Sequence, residues 1–415
     1  MHICCQHLCN CAAAEPLPQC RPSLQERFMQ TDRRNALRAI GGGVIAAAAA
    51  GLAGCSSELP AEAVAAWQGP GAETDLRRWV LAHAILAPHS HNLQSWLVDL
   101  GEPGVITLYM DLQQLLPETD PFSRQMVMSQ GTFLELLDQA ARQRGYRAEM
   151  QLFPLGAFDR KGPDQRPTAR IRLVEDPRVR PDPLFAQVFR RRTNRSPYEM
   201  RAPGAQALQA IREAMEGFPV TAGFTDPAQA AALQVQREIA KQAWRIELST
   251  PRTLLESYKV LRVGPKEIAQ HRDGLSLNDP MVRFFTAVGL FDRTRASAPD
   301  SQAIQGQIKR FNAAIDSTPA FFWMVTADNE RVTQLLAGRA YVRAQLAATA
   351  HGLAMHPLQQ ALQEYPEQER MRAQIHQALG AQQAGHTIQM WARLGHGPTV
   401  GPAPRRGVQA HLLHA

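Results

Sequence analysis

Apolar positions along this chain follow two periods, one helical and one alternating, and the switches between them mark out its elements. Across residues 75–86, Leu76, Trp79, Val80, His83 and Ala84 share one helical face, and Pro88 ends the run. Residues 105–110 alternate as a strand, and Leu115, Pro117, Asp120 and Pro121 mark a turn region. Over 124–144 the positions Met128, Gly131, Leu134, Leu137 and Ala141 recur at helical spacing up to Gly145, which predicts a long core helix. Strands are predicted over 148–153, 168–174, 220–224, 320–327 and 388–394, and helices over 183–189, 206–216, 227–245 and 338–353. Residues from about 246 to 318 break this order. Within them Gly274-Leu275-Ser276-Leu277 and the run from Phe284-Phe285 to Phe291 read as an apolar flap.

Composition narrows the class without naming a chemistry. The chain has 415 residues, 45% hydrophobic and 20% charged, enough for a large core or two fused half-cores. A net charge of +7 permits an anionic cofactor or a membrane surface but gives no argument for nucleic acid, which is not expected as a partner. All six cysteines (Cys4, Cys5, Cys9, Cys11, Cys20, Cys55) lie in the first 55 residues, so the body has no disulfide, thiolate metal site or catalytic thiol. A zinc cluster of Cys4, Cys5, Cys9 and Cys11 is the alternative to reading them as leader sequence; Met29 is a second candidate start.

After Met29, Arg33 and Arg34 precede an apolar run over 40–53, too short and too rich in small residues to span a membrane stably. The run closes on Leu52-Ala53-Gly54-Cys55, which resembles a bacterial lipobox with Cys55 lipidated. Twin arginines point to export by the Tat translocase, with a Sec signal as the alternative. The expected organisation is a leader over 1–54 and a tether over 55–74 anchoring the body in the cell envelope, on the periplasmic side in the simplest reading.

Chemistry concentrates in two stretches. Arg190-Arg191-Arg192-Thr193-Asn194-Arg195 gathers guanidinium donors and a hydroxyl beside a helix end, a set suited to a phosphate dianion; the plainer reading is a solvated basic helix end. Pro88-His89-Ser90-His91-Asn92-Leu93-Gln94-Ser95-Trp96 carries the second. His89 and His91 alone make a His-x-His pair with no third metal ligand in view, and no metal is expected. No P-loop, His-Glu-x-x-His or Gly-x-Ser-x-Gly is present, and Gly395-His396-Gly397 is not a dinucleotide fingerprint.

The two stretches resemble motifs of the FMN-dependent nitroreductase family: 88–96 its Pro-Ser-x-x-Asn-x-Gln-Pro-Trp loop, and 191–195 its Arg-Arg-Ser-x-Arg phosphate motif. Arg393-Leu394-Gly395-His396-Gly397-Pro398, closing on Arg405-Arg406, is similar to its C-terminal strand and basic turn. The closest resemblance is to the Acg-type branch, whose members carry the fold twice. That implies an α+β, internally duplicated single-chain pseudo-dimer, monomeric in solution, with one half over 75–185, the other over 186–415 and a flap insertion over about 246–318. It also makes 124–144 the family's central helix, with Gly131 admitting a close neighbour. Here His89 replaces a usual small residue and Ser95 the proline before Trp96.

What the resemblance implies for the site follows residue by residue. Arg191, Thr193, Arg195, Arg405 and Arg406 would hold the FMN phosphate, with a basic tail as the alternative for the last two. Pro88, His89, Ser90 and Asn92 would approach the ribityl chain and ring, and Gln359 would offer a backbone donor near N5. The loop occurs only in the first half and the arginine motif only in the second, so one composite site with one FMN is expected. The implied activity is two-electron reduction of a nitroaromatic, quinone or similar small acceptor, with an unidentified donor. A flavin-sequestering lipoprotein and a fold kept only for protein contacts are the other classes in play.

Overall fold

A computed structural model describes residues 58–414; the leader, Arg33, Arg34, the N-terminal cysteine cluster and Cys55 lie outside them. Helix α1 (Leu76–Ala84) starts at Asp75, whose carboxylate accepts the backbone N–H groups of Arg77 and Arg78. It is followed by β1 (Trp96–Asp99), β2 (Val105–Met110), α2 (Arg124–Gln143), β3 (Tyr146–Leu152) and β4 (Ala169–Glu175), and the strands form an antiparallel sheet in the order β1-β2-β4-β3.

Then the arrangement recurs. Helix α3 (Ala205–Glu213) leads to β5 (Thr221–Thr225). A long excursion follows, of α4 (Ala230–Ser249), α5 (Pro251–Lys259), β6 (Leu261–Val263), α6 (Gly264–His271), β7 (Leu275–Leu277), α7 (Pro280–Ala287) and α8 (Gln302–Asp316). The chain returns through β8 (Ala320–Thr326), α9 (Arg331–Ala350), β9 (Ala354–Pro357), α10 (Glu369–Ala378) and β10 (Thr387–Gly395). The second antiparallel sheet has the order β5-β8-β10-β9. Strand, strand, helix, strand, strand is therefore laid out twice with the same neighbours.

Helices α2 and α9, each of 20 residues, pack on each other at the centre. Gly131 and Gly338 stand at the crossing: a Cβ on Gly131 would lie 1.9 Å from the Leu335 carbonyl oxygen, and one on Gly338 would lie 1.9 Å from that of Met128. Each helix is buried nearly all round, so its polar side chains must find partners inside. Glu135 on α2 receives Arg339 Nη2 at 2.8 Å and Arg343 Nη1 at 2.7 Å from α9, and Arg343 Nη1 also reaches Asp182 at 2.6 Å.

Most predicted elements stand within a few residues of their expected limits. Strand β1 is an addition; its four residues alternate too briefly to give a periodic signal. The tether over 55–74 is corrected: Ala61–Val64 form a helical turn and Ala65–Gln68 a 3-10 turn. Ala63 accepts the backbone N–H of Arg405 at 2.8 Å, and Trp67 Nε1 donates to Ala403 at 2.8 Å. The Pro and Gly content of that stretch suggested a linker, but Ala63, Ala66 and Trp67 supply surface the body buries. The insertion splits in two. Its turn at Gly274 docks on the 88–96 loop, with Gly274 N–H donating to Asn92 at 3.1 Å, whereas Phe284 and Phe285 face outward. Among the described residues no helix is long and apolar enough to cross a membrane.

Candidate functional site

Loop 88–96 is hung on α2. Thr132 Oγ1 donates to Pro88 at 2.7 Å, Ser90 N–H donates to Ser129 Oγ at 3.2 Å, and Gln130 Nε2 donates to Ser95 at 2.7 Å. Trp96 is fully buried at its end, its indole N–H on Ser129. Within the loop His91 (φ 46°), Asn92 (φ 58°) and Gln94 (φ 56°) are left-handed, strain held by these bonds. Buried Gln94 gives Nε2 to Arg272 at 2.9 Å and accepts the Arg406 backbone N–H at 2.9 Å. Asn92 Nδ2 reaches Gly274 and Pro404, leaving its buried Oδ1 without a partner.

His89 is absorbed by the loop itself. Ser95 N–H donates to its Nε2 at 3.1 Å, so the ring proton sits on Nδ1 and donates to Ser90 at 2.8 Å. Its ring stands edge-on to Trp96. Burial drives this histidine down to about 3 and His91 down to about 4, so both are neutral across the physiological range.

The arginine motif comes from residues 190–195, beyond the first sheet. A short helical turn (Pro183–Gln187), capped by Asp182, accepts the N–H groups of Arg190 and Arg191 on Gln187. The chain then runs beside β9, with Thr193 opposite Met355 and Asn194 N–H donating to Met355 at 3.1 Å. Arg191 is buried; its Nη1 reaches Gln345 at 3.2 Å and its Nη2 the Leu86 carbonyl at 2.9 Å, leading into the loop. From the C-terminal tail, Arg405 Nη2 donates to Ala87 at 2.9 Å, and Arg406 Nη2 donates to Leu93 at 3.1 Å and Gln94 at 2.6 Å. Arg405 and Arg406 thus fasten the loop.

Charge is what sets this place apart. The guanidinium carbons of Arg192, Arg405 and Arg191 lie 4.4, 5.7 and 5.8 Å from the Trp67 ring centre. Among the described residues Arg191, Arg192, Arg195 and Arg405 make no ion pair. Burial lowers Arg191 to about 10, and burial with the charges of Arg191 and Arg192 pushes Arg405 well below its ordinary value. Among the described residues, the buried Nε atoms of Arg191, Arg405 and Arg406, and the buried Tyr341 hydroxyl, have no hydrogen-bond partner. Unpaired buried cations are costly, and an anion brought among them would offset that cost.

Arg195 differs from its neighbours. It is exposed and makes no hydrogen bond among the described residues, yet surrounding protein lowers its guanidinium, with Tyr198 and Tyr341 acting in the opposite sense. His356 feels both Arg195 and Arg393, and Arg393 lies 4.0 Å over the Tyr198 ring with Nε on Thr318 at 2.7 Å.

Of the ten residues singled out, the loop set, Arg191 and the two tail arginines come together. Thr193 and Arg195 follow along β9. Gln359, two residues past β9, turns its Nε2 to the Gln389 carbonyl at 3.2 Å, the carbonyl that also receives Arg124. A cavity of about 190 Å³ between Ala66, Arg78, Ile85 and Val408 lies beside the arginines and is lined by none of these ten. Sequence reasoning missed Trp67, Tyr341, His356 and Arg393. Trp67 could have been found as a large aromatic out of place in a supposed linker; Arg393 was read only as part of the C-terminal strand motif, and Tyr341 and His356 sit in regular elements and carry no local signal.

The buried histidines give a pH dependence. His411, packed on Trp96 with Nδ1 on its carbonyl at 2.9 Å, is driven down to about 3 by burial first and then by Arg406. The unfolded chain protonates near 6.5, so it takes up this proton first as pH falls, and stability present above pH 6.5 is lost toward pH 3. By pH 5 this one group should cost about 2 kcal/mol. His411→Gln should flatten the fall of Tm between pH 7 and pH 5; an unchanged slope would refute the assignment.

No protein-family model matches the chain. Two proteins of Mycobacterium tuberculosis, strains CDC 1551 / Oshkosh and ATCC 25618 / H37Rv, named as candidate NAD(P)H nitroreductases, are each 27% identical to it over 355 residues. The alignments cover 81% of this chain and 90% of theirs. Over that length the chain is similar to nitroreductases. Among solved structures, a nitroreductase with bound FMN from Bacteroides fragilis aligns at TM-score 0.31 and 13% identity, covering 53% of this chain and 92% of its own. The FMN and NADPH-dependent nitroreductase NfnB of a sphigopyxis strain aligns at 0.34 and 17%, covering 55% and 96%. Scores this low carry no argument about this chain.

Proposed function

We propose that the chain is an FMN-binding oxidoreductase of the nitroreductase kind, with one flavin per chain at the junction of its two halves. One observation carries this reading: buried arginines without a counter-anion, from the second half, meet a strained polar loop from the first. Arg191, Thr193 and Arg195 would take the phosphate, helped by the donors that Arg405 and Arg406 do not spend on the loop. Pro88, Ser90 and Asn92 would border the ribityl chain and ring, Asn92 with an unpartnered oxygen to offer. His89, with both nitrogens engaged, shapes the loop instead of donating to the flavin. Gln359 would lie near the hydride-accepting edge. Bound FMN would supply two-electron transfer; the protein's part is to hold it and exclude water.

The repeated connectivity and the reciprocal contacts of Gly131 and Gly338 support an internally duplicated pseudo-dimer of the Acg type. The substrate class we favour is a nitroaromatic or quinone-like acceptor. The relatives' name makes a nicotinamide the first donor to try. A Tat-exported protein anchored through Cys55 in the envelope would need another. A second reading, flavin sequestration without turnover, is favoured by the insertion turn at Arg272 and Gly274 bonded onto the loop.

The test is an absorbance spectrum of the protein purified with FMN, followed by reoxidation of the chemically reduced form. About one FMN per chain, reoxidised by an added nitroaromatic or quinone, supports the enzyme. Bound flavin that neither acceptor reoxidises supports sequestration. A chain that binds no FMN defeats both.

A further inference from the structure

Helix α7 is amphipathic the wrong way round. Met281, Phe284, Phe285 and Val288 recur at i, i+3, i+4 and i+7, one stripe, and every one is exposed. Leu290 extends the patch at 74% exposure. The helix lies on the body through its other side: Val282, Arg283 and Thr286 are the half-buried positions, and the Arg283 side chain runs over Gly264. A soluble helix normally hides such a stripe. This one presents five large apolar side chains side by side.

Where the stripe lies names its partner. Asn278, just before the α7 cap Asp279, donates its Nδ2 to the carbonyl of Glu58 at 2.7 Å. The first residue of the described body is thereby fixed beside the helix. Cys55, the lipobox cysteine, is three residues earlier in the chain, within about 11 Å of covalent reach. Lys266 on α6 and Arg295 beyond α7 are exposed cations on the adjoining stretches. We propose that α7 is a membrane-contact element. Its apolar stripe enters the headgroup boundary of the bilayer that holds the Cys55 lipid, and the cations face anionic headgroups.

This contact would convert a single-point lipid attachment into an oriented one, presenting one side of the body to the membrane. It does not depend on the flavin reading, since none of the site residues takes part.

The test uses the body from Ser57 onward, a compact unit with its own cores and, by sequence, no cysteine. Without a covalent lipid anchor it should co-sediment with vesicles of phosphatidylethanolamine and phosphatidylglycerol. Phe284→Ser with Phe285→Ser should weaken that partitioning about tenfold or more without changing the melting temperature. An environment-sensitive dye on Val288→Cys should shift blue on adding vesicles, whereas the same dye on Leu155→Cys, exposed elsewhere, should not. A body that ignores vesicles, a double serine variant that binds as well as the parent, or a stripe that proves to mediate dimerisation in place of lipid binding would each overturn the proposal.

Discussion

Alanine at Arg195 should weaken FMN binding about tenfold to a hundredfold while leaving the fold intact. The guanidinium is accessible and makes no hydrogen bond or ion pair among the described residues, so its removal breaks none. One charge-assisted hydrogen bond to a phosphate is worth about 1.5–3 kcal/mol. Arg191→Ala should do more and for two reasons. It removes a buried cation from the anion-binding group, and it frees the Leu86 carbonyl that ties the arginine motif to the stretch leading into the loop. Together the two changes should leave a colourless protein, a loss of roughly a thousandfold or more if the contributions add. Fluorescence titration of FMN with each variant measures this, and the melting temperature separates loss of the ligand from loss of the fold. Unaltered FMN affinity in Arg195→Ala would remove the phosphate role. A single variant at Arg405 would be less informative, because its guanidinium also fastens Ala87.

The parts of the site legible in the sequence are those built from consecutive residues. The arginine motif and loop 88–96 could be read because each concentrates unusual residue types in a few positions, and their chemistry survives whatever fold surrounds them. The central helices were legible because 20 residues repeat a period often enough to be seen. What was hidden is what joins them. Nothing local to Trp67 says that three arginines gather round it, and nothing local to Tyr341 says that its hydroxyl is buried near Arg191 and Arg195. His89 illustrates the opposite error: a histidine in a binding loop suggests ligand chemistry, yet two backbone partners consume both nitrogens. The direction in which the insertion's aromatic run faces was hidden for a further reason. The run reads as apolar, and apolarity alone does not say whether a face turns to the core or away from it. Only the partners of Val282, Arg283 and Thr286 decide that.

Alanine at either crossing glycine should be severely destabilising, by roughly 3 kcal/mol or more. On an isolated helix Gly→Ala is stabilising by about 1 kcal/mol, so the sign itself is diagnostic. Here the added methyl of Gly131→Ala would sit 1.9 Å from the Leu335 oxygen, and that of Gly338→Ala equally close to the Met128 oxygen. Both obstacles are backbone, which cannot swing aside; the helices must separate. Separation would stretch the Arg339 and Arg343 contacts to Glu135, leaving a carboxylate of 1% exposure short of its partners. It would also reach the site. Helix α2 carries Ser129, Gln130 and Thr132, which hold the loop, and α9 carries Gln345, which holds Arg191. The two components of the proposed flavin site are thus spaced by the α2–α9 distance, and a variant that still folds should bind FMN less well than its residual stability alone would predict. Thermal melts of Gly131→Ala and Gly338→Ala check the first expectation and FMN titration the second. A stabilised variant would mean that the helices do not cross at these glycines.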